Sequence, residues 1–329
     1  MPRTPGLLAL ICSACATSAG LRADGNGGTA SDLLGTGRGI DHVGIFVRDL
    51  EATGRVYSET LGFTIYPGGS FPDGIRSSGL MFSTSYVELL TVDAEQATGQ
   101  ALARAEFLQR HQGAVFLALH VSSAEDTAAF LRKRGFDVAE PQGGSVAPQG
   151  TQEPLPELFQ IVSFPANTDP AELFFIGYNQ PPEESSRTED ESFARFRRHP
   201  NTAKRLASVR VAVKDKERAA KTYEAMGLPA SRKMEVKTMG AKACEVKAGD
   251  GWILLLQPDD PGGRTARFLS QRGEGIIGIS IEVSSLATAR KHLESNAKHE
   301  FPNYDGLYGN SILIPSELAL GLAIEMFEK

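Results

Sequence analysis

The sequence predicts an α+β fold in which a unit of the order strand, helix, strand, strand, strand occurs four times. Two observations carry this prediction. Runs of alternating apolar and polar residues, typical of half-buried strands, recur along the chain, and the first run of each unit precedes a helical stretch. The units also match letter by letter, since FVRD at 46–49 aligns with AVKD at 212–215. The 329-residue chain is therefore predicted to be a duplicated pair of units.

The first unit shows the order most clearly. A strand is predicted at 40–47 from its alternation, and Asp49 is placed as the N-cap of a helix over 50–60. Turn residues follow, and two further strands are predicted at 79–83 and 86–92.

The other three units repeat this order. Their predicted strands and helices are at 115–121, 124–134, 159–164 and 171–178 in the second unit, at 208–213, 216–226 and 251–257 in the third, and from 276, at 287–295 and at 322–327 in the fourth. The letters FL followed by VSS occur in both the second and the fourth unit. Units one and two therefore form one domain, 39–180, and units three and four form a second, 206–329, with a charged linker at 181–205 between them. The Pro-, Gly- and Gln-rich stretch 140–158 is predicted to be a solvated loop, with a mobile cover as the alternative.

Composition excludes several classes of protein. Hydrophobic content of 41% with 22% charged residues is typical of a globular protein in water. The net charge of −6, without a basic stripe, argues against a nucleic-acid partner. A small-molecule substrate is the expected partner, and the sequence leaves a homodimer open.

The amino terminus resembles a secretory signal. One basic residue, an apolar run and small residues predict a signal peptide at 1–20, followed by a flexible Gly-rich leader at 21–38. Export to the periplasm or the medium is therefore predicted, with a lipid anchor through Cys15 or a cytoplasmic location as alternatives. No stable membrane insertion is expected after the signal is removed. Export would leave Cys244 as the single cysteine, so no intramolecular disulfide is expected.

Four polar residues stand out against apolar strand faces. Each of the first two units has a His in its first strand and a Glu in its last, namely His42 and Glu88, then His120 and Glu172. An isolated Glu on an apolar face is costly to bury, so it needs a partner. Four such groups around one cleft can be satisfied by a divalent cation, and this donor set suits Zn, Ni, Co, Mn or Fe(II). The aromatic residues predicted to line the same pocket are Phe46, Tyr86, Phe116 and Phe174.

The letters DHVGIFVRDLEATGRVYSETLGF at 41–63 and YVELL at 86–90 resemble the vicinal oxygen chelate superfamily. That superfamily includes glyoxalase I, bleomycin-resistance proteins and extradiol dioxygenases. The resemblance covers 40–179 well and 207–328 more weakly. It implies two paired glyoxalase-type domains with curved mixed sheets, each pair of units enclosing a cleft, with metal ligands from the first and last strands of both units. His42, Glu88, His120 and Glu172 are assigned to those positions.

The resemblance implies a metal-dependent lyase or isomerase of the glyoxalase I type, which forms an enediolate on a small oxygenated substrate. Glu172 is nominated as the base, with Glu88 next. One alternative is an Fe(II)-dependent dioxygenase using His42, His120 and Glu172. The other is a non-catalytic protein that binds a small ligand.

The second pair of units carries different residues at the matching positions, namely Ser208, Leu254, Glu282 and Glu325. Two carboxylates without imidazoles make a poor transition-metal site. The second domain is therefore predicted to be a degenerate copy with a structural role. The remaining histidines, His111, His199, His292 and His299, are interpreted as surface residues.

Overall fold

The structure is a computed structural model that describes residues 33–35, 37–151, 157–165, 171–179 and 194–329. The predicted signal peptide and most of the predicted leader lie outside these residues. Leu34, within the predicted flexible leader, is 1% exposed and belongs to the hydrophobic core. None of the described helices has both the length and the apolar character needed to cross a membrane.

The first half contains the first two predicted units, joined by a helix that the sequence analysis had not predicted. Its elements are, in order, β1 (Ile40–Phe46), α1 (Leu50–Arg55) with a π-helical turn (Val56–Thr60), β2 (Tyr66–Ser70), β3 (Ile75–Met81), β4 (Tyr86–Val92), the joining helix α2 (Gln100–Arg110), β5 (Gly113–His120), α3 (Ala124–Lys133), β6 (Gln142–Gly144), β7 (Ala147–Pro148), β8 (Phe159–Val162) and β9 (Phe174–Tyr178).

The second half repeats the order, and a short 3-10 turn (Arg195–Arg197) precedes it. Its elements are β10 (Ala203–Ala212), α4 (Lys216–Met226), β11 (Ala230–Val236), β12 (Ala241–Ala248), β13 (Gly251–Pro258), α5 (Arg264–Arg272), β14 (Gly275–Val283), α6 (Leu286–Ala297), β15 (Tyr304–Gly306), β16 (Gly309–Ile314) and β17 (Ala323–Glu328).

Each unit begins its helix in the same way. The side chains of Asp49, Ser123, Asp215 and Ser285 each accept a hydrogen bond from a backbone N–H in the first turn of the helix, at 2.8 to 3.2 Å. Such a cap satisfies one of the free N–H groups at a helix start. The four caps therefore provide a common reference point from which the units can be aligned.

Two curved mixed sheets form the fold. The first has the strand order β6-β8-β9-β5-β1-β4-β3-β2-β7 and the second β11-β12-β13-β10-β14-β17-β16-β15. In each unit the first and last strands pair in parallel, whereas the other pairs are antiparallel. The predicted class, α+β with two paired glyoxalase-type domains and curved mixed sheets, is confirmed.

The helix-bearing faces of the two halves pack against each other. Apolar rows of both sheets, such as Val43 in β1 and Ile279 in β14, belong to one buried cluster. Polar contacts support the interface, since the Tyr57 hydroxyl donates to the Ala319 carbonyl at 3.0 Å and Arg134 donates to the Ala225 carbonyl at 3.1 Å. Because one face of each sheet is used here, His42, Gly44 and Phe46 of the first sheet face away from the other half.

A short segment, 142–148, nearly closes the first sheet on itself. β6 pairs with β8 at one edge of the sheet, and β7 pairs with β2 at the other edge. Two residues connect β6 to β7. Gly144 leaves room for Phe159, whose ring would lie 2.1 Å from a Cβ at that position. The prediction of a solvated loop is wrong for this segment, since hydrogen bonds to both edges of the sheet replace those that water would supply.

The end of the predicted linker also packs against the first half. His199 is 7% exposed, accepts from the Thr64 N–H at 3.0 Å and lies 2.8 Å from the Met81 carbonyl. The interpretation of His199 as a surface residue is wrong, because its two ring nitrogens bond the backbone of the first half.

Candidate functional site

The concave face of the first sheet encloses a cavity of about 880 Å³. This is within the range of cavities that bind small organic ligands. All four residues predicted to line the pocket, Phe46, Tyr86, Phe116 and Phe174, do so. Among the described residues of the lining, the ionisable groups include His42, Glu88, Arg104 and Glu172.

His42 and Glu88 lie together in the wall of this cavity. The His42 Nε2 atom is 3.7 Å from a Glu88 carboxylate oxygen. The imidazole is 4% exposed and stacks on Tyr86 with ring centroids 4.4 Å apart. Neighbouring parallel strands produce this arrangement, because His42 pairs with Tyr86 in register and Glu88 pairs with Gly44. The structure therefore brings together the two predicted residues of the first unit.

Asp41 contacts the ring nitrogen of His42 that does not face Glu88. One Asp41 carboxylate oxygen lies 2.6 Å from His42 Nδ1 and accepts from the Tyr178 hydroxyl at 2.9 Å. Burial raises the pKa of Asp41, but the hydrogen bond and charge of His42, the charge of His120 and the Tyr178 hydroxyl bring that pKa below its ordinary value. An ionised Asp41 accepts a hydrogen bond from the Nδ1–H of His42, and this leaves Nε2 directed toward Glu88.

Asp41 was not predicted as a site residue, because strand alternation places it on the face opposite His42. A register shift in the pairing of β1 with β5, between Ile40 and His42, changes this alternation. Such a bulge re-aims side chains locally. The adjacent letters D and H at 41–42 were the available signal.

Burial raises the pKa of the Glu88 carboxyl, while His42 and a hydrogen bond from Ser77 lower it in part. The unfolded chain ionises this group at a lower pH than the folded chain does. The stability that the protonated Glu88 contributes is fully present below the pKa of this group in the unfolded chain. It is therefore lost as the pH rises through the pKa of the group in the folded chain.

Glu88→Gln is expected to remove this loss. The stability of the variant relative to the wild type should rise with pH above the ordinary carboxyl range and then level off, measured by urea unfolding at pH 4 to 8. The matched control is Glu106→Gln, which removes a carboxylate from an exposed position. A difference between Glu88→Gln and the wild type that does not change with pH would contradict the raised pKa.

His120 and Glu172 do not join the pair. His120 lies beside Tyr178, with ring centroids 5.2 Å apart, and is not among the residues that line the cavity. Burial lowers its pKa, Asp41 opposes this effect, and Arg38 adds to it. Glu172 lines the cavity but makes two hydrogen bonds to Arg104 instead. His120 pairs with Ile176, and Ile176 is four residues beyond Glu172 in the chain. Four residues of extended chain span roughly 13 Å, so His120 and Glu172 lie at different positions along the paired strands.

Alignment of the units on their helix caps explains why His120 and Glu172 do not join His42 and Glu88. Counting back seven residues from the cap leads from Asp49 to His42 in the first unit and from Ser123 to Phe116 in the second. Glu88 pairs with Gly44, and the matching pair in the second unit is Phe174 with Ala118. Phe116 and Phe174 therefore occupy the second-unit positions that correspond to His42 and Glu88.

Comparison with known proteins agrees with this architecture. A family model for the glyoxalase-like domain matches residues 40–227, which is more than half of the chain. The chain belongs to the glyoxalase-like domain family. This family is part of the vicinal oxygen chelate superfamily. No curated protein matches the chain by sequence.

Solved structures of the same fold cover nearly all of this glyoxalase-like chain. A hypothetical protein from Staphylococcus aureus has a TM-score of 0.59 at 14% identity, over 88% of this chain and 98% of the other. A triple mutant of 4-hydroxymandelate synthase from Streptomyces coelicolor has a TM-score of 0.61 at 15% identity, over 88% and 92%. Methylmalonyl-CoA epimerase from Mycobacterium tuberculosis is 25% identical over 39% of this chain and 89% of its own, with a TM-score of 0.36. The first two show a common fold.

The residues present do not fit the predicted metal site. Among the residues that the structure describes, no group of three or more His, Cys, Asp or Glu is placed to hold a metal ion. His42 and Glu88 alone are fewer protein ligands than a four-ligand glyoxalase I site or a two-His-one-carboxylate iron site uses. The other two positions carry phenyl rings, which lie edge-on to His42 at 5.6 and 5.8 Å.

The second half holds an ion pair in the corresponding place. Arg210, which is fully buried, donates to Ser280 at 3.0 Å and to Glu325. Glu325 also accepts from Ser280 at 2.8 Å and from Tyr304 at 2.6 Å. Burial raises the pKa of Glu325, but the charge of Arg210 and the hydrogen bonds from its neighbours bring it below the ordinary value.

The other predicted positions of the second half lie around this pair or apart from it. Ser208 and Leu254 are fully buried, whereas Glu282 pairs with Arg205 at 3.1 Å. By the cap alignment Gly278, rather than Glu282, corresponds to His42. Arg210 was not predicted from the sequence, where its signal is a charged residue inside an apolar strand.

Proposed function

We propose that the chain is an acid–base enzyme of the vicinal oxygen chelate superfamily that moves a proton on a small oxygenated substrate. Glu88 is the base and His42 is its partner. The observation that carries this proposal is the placement of the His42 Nε2 atom 3.7 Å from the Glu88 carboxylate, in the wall of an aromatic cavity and with Asp41 on Nδ1. A carboxylate and an imidazole held in this way are a common pair for general acid–base catalysis.

The chemistry follows from the two side chains. A carboxylate whose pKa is raised by burial is a stronger base, once ionised, than a carboxylate in water. Glu88 takes a proton from the carbon beside a substrate carbonyl, and His42 donates a hydrogen bond from Nε2 to the oxygen that becomes negative. Glu172 was nominated as the base from the sequence, but its ion pair with Arg104 makes Glu88 the better candidate.

Two alternatives from the sequence fare differently. An Fe(II) dioxygenase is less well supported, because His120 is not among the described residues that line the cavity and Glu172 pairs with Arg104. A ligand-binding protein without turnover is favoured by one observation, the replacement of second-unit ligand positions by Phe116 and Phe174. Turnover therefore has to be measured directly.

Deuterium exchange tests the proposal without a known substrate. The full chain in D₂O is mixed with hydroxyacetone, 2-hydroxyacetophenone or the hemithioacetal of methylglyoxal, and proton NMR follows the C–H beside the carbonyl. We expect wild-type exchange above the buffer rate on at least one compound. Glu88→Gln should lower the enzymatic rate about 10²- to 10⁴-fold, whereas Glu106→Gln, an exposed matched control, should not.

Chelation is the second arm of this experiment. Exchange that persists after chelator treatment agrees with proton transfer by the two side chains. Exchange that vanishes and returns with added Zn²⁺, Mn²⁺ or Fe²⁺ would contradict the proposal in favour of the metal enzyme. Ligand binding with no exchange on any compound would favour the binding protein.

A further inference from the structure

We propose that the cavity takes an elongated aryl carboxylate and that Arg104 recognises its carboxylate group, in the place that the Glu172 side chain takes in this structure. The inference deepens the proposed function and rests on it for the identity of the site. It names the class of ligand and a residue that determines specificity.

Arg104 places a guanidinium group in the wall of the cavity, where an anionic ligand could bind it. It is the one Lys or Arg among the described residues of the cavity lining, and its side chain is 18% exposed. It reaches the cavity from α2, on the side of Phe46, with its guanidinium carbon 5.5 Å from the Phe46 ring centroid. A guanidinium in such surroundings binds planar anions more strongly than one in water does.

The partner of Arg104 indicates the shape of that anion. Glu172 binds through both carboxylate oxygens, with Nη1 to Oε1 at 3.1 Å and Nη2 to Oε2 as the second contact. Two parallel N–H donors fit a carboxylate better than any neutral group. Glu172 therefore already presents the chemistry that a ligand carboxylate would offer.

Glu172, the partner of Arg104, has an uncommon backbone conformation. Its φ is +42°, in the left-handed region that residues other than glycine seldom adopt. Its neighbours Ala171 and Leu173 are both buried, and the Ala171 carbonyl accepts from the Leu117 N–H at 3.0 Å. Since residues in such conformations cluster at functional sites, this conformation supports a functional role for Glu172 in the cavity lining. The Glu172 side chain is 30% exposed, so it can turn toward water while its backbone stays in place.

Aromatic rings connect Arg104 to the proposed acid–base pair. Phe46, over which Arg104 lies, is 6.4 Å from Phe116, and Phe116 is 5.6 Å from His42, between ring centroids. A ligand with its carboxylate on Arg104 would therefore place an aryl body along these rings and an oxygenated carbon near Glu88. Four residues of β1, about 13 Å of strand, separate Phe46 from His42, which requires an elongated ligand.

Calorimetry with two matched probes tests this inference. We use 4-phenylbutyrate and 4-phenylbutyramide, which share the aryl body and differ in charge. Wild-type protein should bind the carboxylate at least about tenfold more tightly than the amide, since a hydrogen bond to a charged group contributes more than one to a neutral group. Arg104→Met should abolish this preference and keep amide binding, which also reports that the variant is folded. Glu172→Gln should tighten carboxylate binding severalfold and leave amide binding unchanged.

Several outcomes would overturn the inference. These are equal binding of the two probes by the wild type, binding of neither probe, or a preference that survives Arg104→Met. Glu88→Gln separates this inference from the proposed function, because it should stop proton exchange and leave the carboxylate preference intact. Preference without exchange in the wild type would reject the proposed function alone, and exchange without preference would reject this inference alone.

Discussion

Replacing Phe116 by His and Phe174 by Glu is expected to create a divalent-metal site in the cavity of the first half, with His42 and Glu88 as the other two ligands. The cap alignment and strand register place these phenylalanines at the second-unit positions that match His42 and Glu88. Both rings already lie against His42, and the new side chains are smaller. Two imidazoles and two carboxylates suit Zn²⁺ or Co²⁺.

The expected gain in Zn²⁺ affinity over the wild type is at least about a thousandfold, or ~4 kcal/mol. Calorimetry with Zn²⁺ and the visible spectrum of the Co²⁺ complex measure it. The Phe116→Leu, Phe174→Gln double variant is the matched control and should gain nothing. In the metal-binding variant His42→Ala should abolish binding, whereas His120→Ala should leave it unchanged. A wild-type protein that binds as tightly, and loses binding on His120→Ala, would instead support the ligand set predicted from sequence.

Arg210→Met is expected to destabilise the protein by about 3–5 kcal/mol. Arg210 and Glu325 are 0% and 1% exposed, so removing the guanidinium leaves a carboxylate buried without its cation. Ser280 and Tyr304 still donate to Glu325 but carry no charge. Urea unfolding followed by circular dichroism measures the change in the free energy of unfolding.

The double variant Arg210→Met, Glu325→Leu should recover much of this loss, because buried ion pairs replaced by apolar groups are often tolerated. Lys233→Met is the control for an exposed pair, since Lys233 and Glu217 have 68% and 45% exposed side chains. It should change the free energy of unfolding far less than Arg210→Met does, because water screens an exposed pair. An Arg210→Met variant that is as stable as Lys233→Met would contradict a structural role for the buried pair.

The repeat and the order of elements were predictable because they depend on local chemistry. Alternation marked the strands, and capping residues such as Asp49 marked helix starts. His42 and Glu88 both line the cavity, and both lie in well-defined strands of the best-matched unit. The helix α2 between the units was missed, and with it Arg104, since nothing in the strand pattern indicates which side chain enters the cavity from another element.

The sequence by itself determined the α+β class, the fourfold unit and the strand faces on which the polar residues lie. Only the tertiary structure decided how far along the strands those residues meet. Alternation with a period of two specifies the face of the sheet on which a side chain lies. It does not specify the position of that side chain along the strand, since a shift by two or four residues preserves the face. That position is decided by strand pairing and by the helix caps, which put Phe116 and Phe174 where His120 and Glu172 were expected. The cavity of the first half is therefore an aromatic pocket with one His–Glu pair.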